Sequence, residues 1–259
     1  MVYFEYLKNA FKSQMYYRMN WGMKIMGIIL SVFLQLCLWN VLANGHSDIV
    51  SMSYMVEYIL LGCMVKSLTA SNVVDLVNGH IGSGQIAMDM VKPVRFQLYM
   101  FCESLGNGLF SCLFEYFPVV VIFSICMESF GLWGRIDIFF LVSTLLGLCL
   151  YFALAYCLAL TGFWWTQTWI LGRFLNDLTG LFSGKMVPVW MFPKVLLSVS
   201  RCLPFQYMYY VPISMVLEDF TLMQKCGLLG VQLFWCLFFL LLGKAIERRG
   251  MYKLQIQGG

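Results

Sequence analysis

Charged side chains are scarce in this sequence, at 12% of its 259 residues, whereas hydrophobic side chains make up 61% and the mean hydropathy is +0.77. A water-soluble fold of this composition would lack the polar surface that it needs to cover itself. The composition therefore predicts a protein that lies in a lipid bilayer. There each backbone N–H and C=O group must be satisfied without water, so a crossing needs about 20 apolar residues in helical form.

Histidine is also scarce, with only His46 and His80 in the chain, and neither has a nucleophile or a base beside it on its helix. No two of the ten cysteines have the two-residue spacing of zinc sites, so most are expected as small core side chains. Cys202 and Cys226 could pair in an oxidising compartment. We therefore expect no metal site and no enzyme.

Motifs for nucleotides and nucleic acids are missing too. Residues 82–87, GSGQIA, imitate a dinucleotide fingerprint without the preceding strand, and residues 180–185, GLFSGK, are one residue too short for a phosphate loop. No basic run with interleaved aromatic residues is typical of a nucleic-acid groove. If ATP and Mg drive this protein, a separate partner must bind them.

The sequence does contain six apolar stretches, each of a length that one tilted helix can span. They cover residues 21–43, 52–74, 98–127, 136–163, 165–183 and 227–246. Because the connections are short, we predict a single all-α membrane domain of six transmembrane helices over residues 1–259.

Residues 1–20 carry charges and lack the uncharged core and cleavage site of a signal peptide. At helical spacing they form one apolar and one polar face, which predicts an interfacial helix in the headgroup plane. The alternative is an ordinary soluble amphipathic helix. The apolar face comprises Tyr3, Phe4, Leu7, Ala10, Phe11 and Met15.

The basic residues predict the orientation. With the N-terminus in the cytoplasm, five of the 17 Lys and Arg residues fall outside, and the other twelve lie inside or near the inner face. Both termini are then cytoplasmic. The five outer residues are Arg135, Lys185, Lys194, Arg201 and Lys225.

A polar, glycine-broken segment, residues 72–93, lies between the second and third stretches. We expect a short helix over residues 84–91, because Gly82 and Gly84 precede it and Pro93 stops it. Gln85 and Asp89 are four residues apart and would share one face of that helix. We interpret the segment as a cytoplasmic docking element for a partner.

Four of the six prolines follow the fifth stretch, within residues 184–218. Each removes a backbone donor and strains a helix, so this region is predicted to form short, broken helices on the outer face, re-entrant or interfacial. The alternative is a proline-rich loop packed on the bundle. The four are Pro188, Pro193, Pro204 and Pro212.

Several motifs, taken in order, resemble the permease subunits of type-2 ATP-binding cassette (ABC) transporters. The similarity runs nearly end to end and is to the six-helix subfamily long catalogued as a domain of unknown function. The motifs are YR at 17–18, LWNVL at 38–42, GQIAMDMVKPVRFQLY at 84–99, FSGKMVPVWMFP at 182–193, LPFQYMYYVP at 203–212 and IQGG at 256–259.

The resemblance implies an N-terminal connecting helix, six spans, a cytoplasmic coupling helix after the second span and broken extracellular helices before the sixth. It also implies two permeases, often different chains, with two ATPase subunits, so a heterodimer is favoured over a homodimer. By position, the residues at or beside the ATPase are Asp75, Gly79, Gly82, Gly84, Gln85, Asp89, Lys92 and Pro93.

Polar residues inside a membrane are candidates for function. In the fifth stretch a polar and small-residue stripe runs along one face at 100° per residue, and Gln35 aligns with Lys24 and Ser31 in the first. We interpret both stripes as the substrate path or the dimer seam. The alternative is interhelical hydrogen bonding and close packing alone. The fifth-stretch residues are Thr166, Arg173, Asp177, Gly180 and Gly184.

The predicted function is that of a permease subunit that exports a hydrophobic or amphipathic substrate, such as a drug, a lipid or an antimicrobial peptide. It would work in the plasma membrane of a bacterium, among membrane lipids, and would not bind nucleic acid. The alternative is a non-transporting sensor or immunity protein that binds a peptide at its outer face.

Overall fold

The computed structural model of the protein describes residues 2–16, 18–45, 51–69, 72–91, 94–129, 131–165 and 169–251. Within these ranges all regular structure is helical, as predicted. The first seven α-helices are α1 Val2–Tyr16, α2 Arg18–Gly45, α3 Met52–Leu68, α4 Val73–Gly82, α5 Gln85–Val91, α6 Phe96–Phe110 and α7 Phe117–Cys126. The other six are α8 Gly131–Arg135, α9 Ile138–Ala159, α10 Trp169–Phe182, α11 Lys194–Cys202, α12 Tyr210–Leu217 and α13 Leu222–Met251.

Four helical segments of the described chain are long and apolar enough to cross a membrane: Trp21–Val41, Phe96–Cys126, Ile138–Phe163 and Leu222–Met251. Within the described residues, the helices of the other two predicted spans are shorter than their apolar stretches; residues 166–168, just before α10, lie outside those residues. Helix α3 has 17 residues and α10 has 14. At 1.5 Å per residue they reach about 26 Å and about 21 Å, against about 30 Å of hydrocarbon.

The third predicted span is one continuous helical segment with a π-helical turn, Ser111–Tyr116, between α6 and α7. Pro118 follows this turn and cannot donate the bond that an α-helix would direct to the carbonyl of Phe114. Instead, the indole of Trp21 donates to that carbonyl at 3.1 Å. The distortion thereby links α2 to the middle of the third span.

Helix α9 lies at the centre of the bundle and packs against α4, α10, α12 and α13. Helix α2, by contrast, leaves much of its apolar surface exposed, with Met26 72%, Phe33 55% and Leu34 57% exposed. An exposed face of this kind suits lipid or a second membrane subunit, since it cannot be covered by water without a large free-energy cost.

The predicted amphipathic helix is present as α1, and the side that packs on the bundle includes residues outside the predicted apolar face. It packs along α6, where Tyr6 and Tyr99 have ring centroids 4.5 Å apart and Gln14 donates to Asn107 at 3.1 Å. Phe4 and Met15, assigned to the apolar face, are 66% and 52% exposed. The contact with α6 selects a face that includes tyrosine and glutamine, which a hydrophobicity pattern alone does not mark.

Short helices follow α10, and their place on an outer face stays a prediction. Pro188 and Pro204 each precede a 3₁₀ turn, Val189–Met191 and Phe205–Met208, while Pro193 precedes α11 and Pro212 lies in the first turn of α12. Helix α11 has nine residues and α12 has eight. The cysteines at 202 and 226 are both free thiols.

Candidate functional site

The segment predicted to dock a partner folds into two short helices, α4 and α5, joined by a turn at Ser83 and Gly84; we call residues 72–91 the elbow. Gly84 has a φ of +73°, a conformation that glycine adopts at little cost. Ser83 stabilises the turn, since its hydroxyl donates to the carbonyl of Gly79 at 2.7 Å. The helix predicted over residues 84–91 is present as α5, which begins one residue later, at Gln85, because Gly84 belongs to the turn.

A buried polar pair holds the two helices of the elbow together. Nδ1 of His80 lies 2.6 Å from Oδ2 of Asp89, and Asp89 is only 2% exposed. The prediction that Asp89 shares an outward face with Gln85 is therefore wrong for Asp89, because α5 turns its carboxylate inward to His80. The clue in the sequence was a histidine and an aspartate on either side of a glycine turn.

The inner side of the elbow is fixed to the bundle by apolar side chains. Val74, Val77 and Ile86 are each at most 2% exposed and belong to the cluster that includes α9. A Cβ on Gly172 of α10 would lie 3.3 Å from Val74, so the glycine allows α10 to approach α4 closely. The elbow is thus a rigid projection of the bundle.

The outer side of the elbow is exposed. The exposed residues include most of those predicted to lie at the ATPase, namely Asp75, Gly79, Gly82, Gly84 and Gln85, together with Met88. Asn72 donates from its amide to the carboxylate of Asp75. Lys92 and Pro93 lie outside the described residues. This surface is small, polar and almost free of bulky side chains.

Contacts continue from the elbow to the N-terminal helix. The ring of His80 meets Tyr99 edge-on, with centroids 5.8 Å apart, and Tyr99 in turn meets Tyr6 of α1. The backbone N–H of Arg95 donates to the hydroxyl of Tyr3 at 3.1 Å. A displacement of the elbow would therefore reach α1 and α6 as well as α9.

The residues of the predicted stripe on the fifth span differ in their surroundings. Arg173 and Asp177 are exposed, whereas Gly180 and Gly184 are buried; Thr166 lies outside the described residues. Gly184 follows the end of α10 and has a φ of +87°, so helical spacing no longer applies to it. In the first stripe, the amide of Gln35 donates to Ser31 at 3.5 Å.

Two lysines predicted on opposite sides of the membrane lie in one cavity. Lys66 is in the last turn of α3, and Lys185 follows the turn at Gly184. Tyr58 donates to the carbonyl of Gly184 at 2.7 Å and holds this turn against α3. Helix α10 ends at Phe182, so Lys185 comes three residues after the helix. The cavity measures about 320 Å³.

An ion pair that no sequence pattern marks lies next to that cavity. Nζ of Lys24 on α2 lies 3.1 Å from Oε1 of Glu115, which is 3% exposed and belongs to the π-helical turn. The π geometry directs Glu115 to α2 and Tyr116 to the cavity of Lys66 and Lys185. In the described ranges, no three His, Cys, Asp or Glu side chains gather as a metal site requires.

A comparison with curated proteins found no match. A family model described as ABC-2 family transporter protein matches residues 29–258, which is most of the chain. This match agrees with the apolar helices and with the order of motifs in the sequence. The chain therefore belongs to the ABC-2 family of transporters, as a membrane-spanning permease subunit, and the predicted resemblance is confirmed.

Proposed function

We propose that this chain is a permease subunit of an ATP-driven exporter and that an ABC ATPase drives it through the elbow. Membership of the family implies association with an ABC ATPase. The observation that carries the proposal is the two-sided construction of the elbow. Its outer surface is exposed, while Val74, Val77 and Ile86 fasten its inner side to the bundle core.

The elbow suits the transmission of force because it is short and internally bonded. A push on Gln85 or on the turn at Gly84 acts on α5, which the contact between His80 and Asp89 ties to α4. Helix α4 packs on α9 and α10, and the ring of Tyr99 passes the displacement to α6. ATP and Mg are bound by the ATPase in this proposal, and the permease performs no chemistry.

The proposed assembly contains two permeases and two ATPase subunits, with a different sister chain favoured as the second permease. Six spans would come from α2, α3, the α6–α7 segment, α9, α10 and α13, with both termini in the cytoplasm of a bacterium. The exposed apolar face of α2 and the exposed polar residues of α10 support a place at the seam between permeases. Hydrophobic or amphipathic molecules remain the proposed substrates.

Charge on the outer side of the elbow tests this proposal. We expect Gln85→Lys together with Met88→Glu to reduce co-purification of the cognate ABC ATPase at least tenfold, because both side chains are exposed there. Ser198→Lys is the matched control, since Ser198 is exposed on α11, far along the chain from the elbow. Undiminished recovery of the ATPase with the elbow variant, at a normal size-exclusion profile, contradicts the proposal.

Reconstitution separates export from the alternative of sensing. Proteoliposomes that contain both subunits should move a fluorescent amphiphile across the bilayer when ATP is supplied, and the elbow variant should not. A sensor predicts ATP hydrolysis that responds to ligand without net movement of any substrate.

A further inference from the structure

Lys66 and Lys185 bring two positive charges together inside the helical bundle. Besides the cavity of about 320 Å³, both also line a narrow neighbouring cavity of about 20 Å³. Both side chains are half-buried, and the two charges are close enough to repel each other. Like charges that are withdrawn from water destabilise a fold unless something compensates for them.

No ion pair within the described residues compensates for the two lysines, although the carboxylate of Asp75, which accepts from Asn72, lies near Tyr151 at the same cavity. Other basic residues at the helix contacts are paired: Lys24 with Glu115 at 3.1 Å, Arg135 with Glu57 at 3.0 Å and Lys225 with Asp137 at 2.6 Å. The amino groups of Lys66 and Lys185 have no ion pair or hydrogen bond within the described part of the chain. Glu115 lines another cavity with Lys66, but its carboxylate is already bound by Lys24.

Neutral side chains around the two lysines add further hydrogen-bond donors. Tyr116, Tyr151, Asn72 and Asn176 line the same cavity. The hydroxyl of Tyr151 donates to the side-chain carbonyl of Asn176 at 3.4 Å, which leaves the amide nitrogen of Asn176 able to donate into the cavity. Two ammonium groups and amide N–H groups are the donors that bind phosphate or carboxylate oxygens most strongly.

The dimensions and the neighbouring side chains point to more than a small ion. A volume of about 320 Å³ lies in the range of small-molecule sites, roughly 300–1,000 Å³. The neighbouring cavity of about 20 Å³, which Ile28, Val32 and Ile59 line together with the two lysines, is too small to enclose an alkyl tail. A tail attached to a charged group at the lysines would therefore leave the cavity and lie along the exposed apolar side chains of α2.

We propose that the cavity between Lys66 and Lys185 binds the anionic group, a phosphate or a carboxylate, of an amphiphilic molecule. The proposed binding depends on the cavity alone. The further statement that the bound amphiphile is the transported substrate rests on the proposed function. It narrows the substrate class to anionic amphiphiles.

Binding of matched amphiphiles to the full-length chain tests the proposal. The chain is placed in nanodiscs of phosphatidylcholine, and native mass spectrometry measures bound dodecyl phosphate, with dodecyltrimethylammonium as a probe of the same tail and opposite charge. We expect one dodecyl phosphate per chain, bound at least tenfold more tightly than dodecyltrimethylammonium. Lys66→Gln and Lys185→Gln should each weaken it at least tenfold, and Lys185→Arg should retain it.

Lys194→Gln removes the same charge from an exposed position on α11 and should leave binding within twofold of the original. Equal binding of the two amphiphiles, or full binding by the doubly substituted Lys66→Gln, Lys185→Gln chain, overturns the proposal. If inorganic phosphate competes as strongly as dodecyl phosphate, the ligand is a free anion, and the proposal that the cavity binds an amphiphile is wrong. The binding assay contains no ATPase, so a negative result does not contradict coupling through the elbow. In the same way, evidence against coupling through the elbow does not contradict binding in this cavity.

Discussion

At the scale of single residues, the contact between His80 and Asp89 determines how α5 is held. We expect Asp89→Ala to destabilise the elbow by about 1.5–3 kcal/mol, because it removes a hydrogen bond to a buried charged group. Hydrogen exchange of the backbone amides of α5 measures this, and exchange should become faster there. Gln85→Ala, on the same helix but exposed, is the control. Equal exchange rates in the two variants would show that the pair does not hold α5.

Asp137 gives a prediction of pH dependence. Burial alone would raise the pKa of Asp137, but hydrogen bonds from Lys225 and from the backbone N–H of Phe140 outweigh it and lower the pKa below the usual 3.8. A carboxyl with a lowered folded pKa stabilises the fold above its unfolded pKa, and this stabilisation is lost as the pH falls through the folded pKa. The contribution is therefore complete above about pH 4 and disappears below it.

Two substitutions at this position separate the charge from the helix cap. Asp137→Asn keeps an acceptor for the N–H of Phe140, so we expect a loss of less than about 1 kcal/mol near neutral pH and a flatter stability curve below pH 4. Asp137→Ala should cost about 1 kcal/mol more through the lost cap. Thermal unfolding in detergent between pH 3 and pH 7 measures both. An acid response of Asp137→Asn that matches the parent chain would rule out this role for the carboxylate.

At the scale of elements, α1 depends on one glycine of α6. A Cβ on Gly106 would lie 2.5 Å from the carbonyl oxygen of Leu7 and 3.0 Å from the Cβ of Ala10. Since the nearest atom is backbone, α1 as a whole must move outward in Gly106→Ala, at a cost of about 1–3 kcal/mol. We expect trypsin to cleave faster at Lys8 and Lys12, which are exposed on α1.

The control for this prediction is Gly230→Ala on α13, where an added Cβ meets nothing within 4 Å. It should leave the cleavage of α1 unchanged and stabilise its own helix by up to about 1 kcal/mol. If Gly106→Ala and Gly230→Ala are cleaved at the same rate, the close approach of α1 to α6 does not fix the helix.

Local signals predicted much of the element structure. The prolines at 188, 193, 204 and 212 marked the starts of short helices because a proline restricts the chain around itself. Gly84 marked the turn before α5 because few other residues adopt a positive φ. These features depend on a few neighbouring residues, so the sequence alone reveals them.

Other features depend on contacts between distant residues. Asp89 points inward because its carboxylate bonds to His80 on α4. Helix α5 has only seven residues, too few for a hydrophobicity pattern to show which face is buried. Lys185 meets Lys66 because Tyr58, 126 residues away from Gly184, holds the chain turn after α10. Hydropathy located the four helical segments that are long enough to cross a membrane, but it did not predict that α3 ends at Leu68 or α10 at Phe182.

At the scale of the whole molecule, the short helices α3 and α10 decide the topology. If both cross the membrane, the elbow and the C-terminal end of α13 lie in the cytoplasm and α11 lies outside. If neither crosses, the elbow is outside. If only α3 crosses, α11 is inside and the end of α13 is outside. If only α10 crosses, the elbow and the end of α13 are outside and α11 is inside. All four outcomes are for an N-terminus in the cytoplasm. Three positions, one in each region, therefore distinguish these arrangements.

Single cysteines at Gln85, Ser198 and Arg249, all exposed, report the side on which each region lies. The exposed native cysteines at 37, 126, 202 and 226 are first replaced by alanine. We expect a membrane-impermeant maleimide to label Ser198→Cys on intact cells, and Gln85→Cys and Arg249→Cys only after the membrane is opened. With the N-terminus in the cytoplasm, this pattern requires both short helices to cross, aided by thinning of the bilayer around them. Labelling of Gln85→Cys on intact cells would place the elbow beyond the reach of a cytosolic ATPase and so contradict coupling through it.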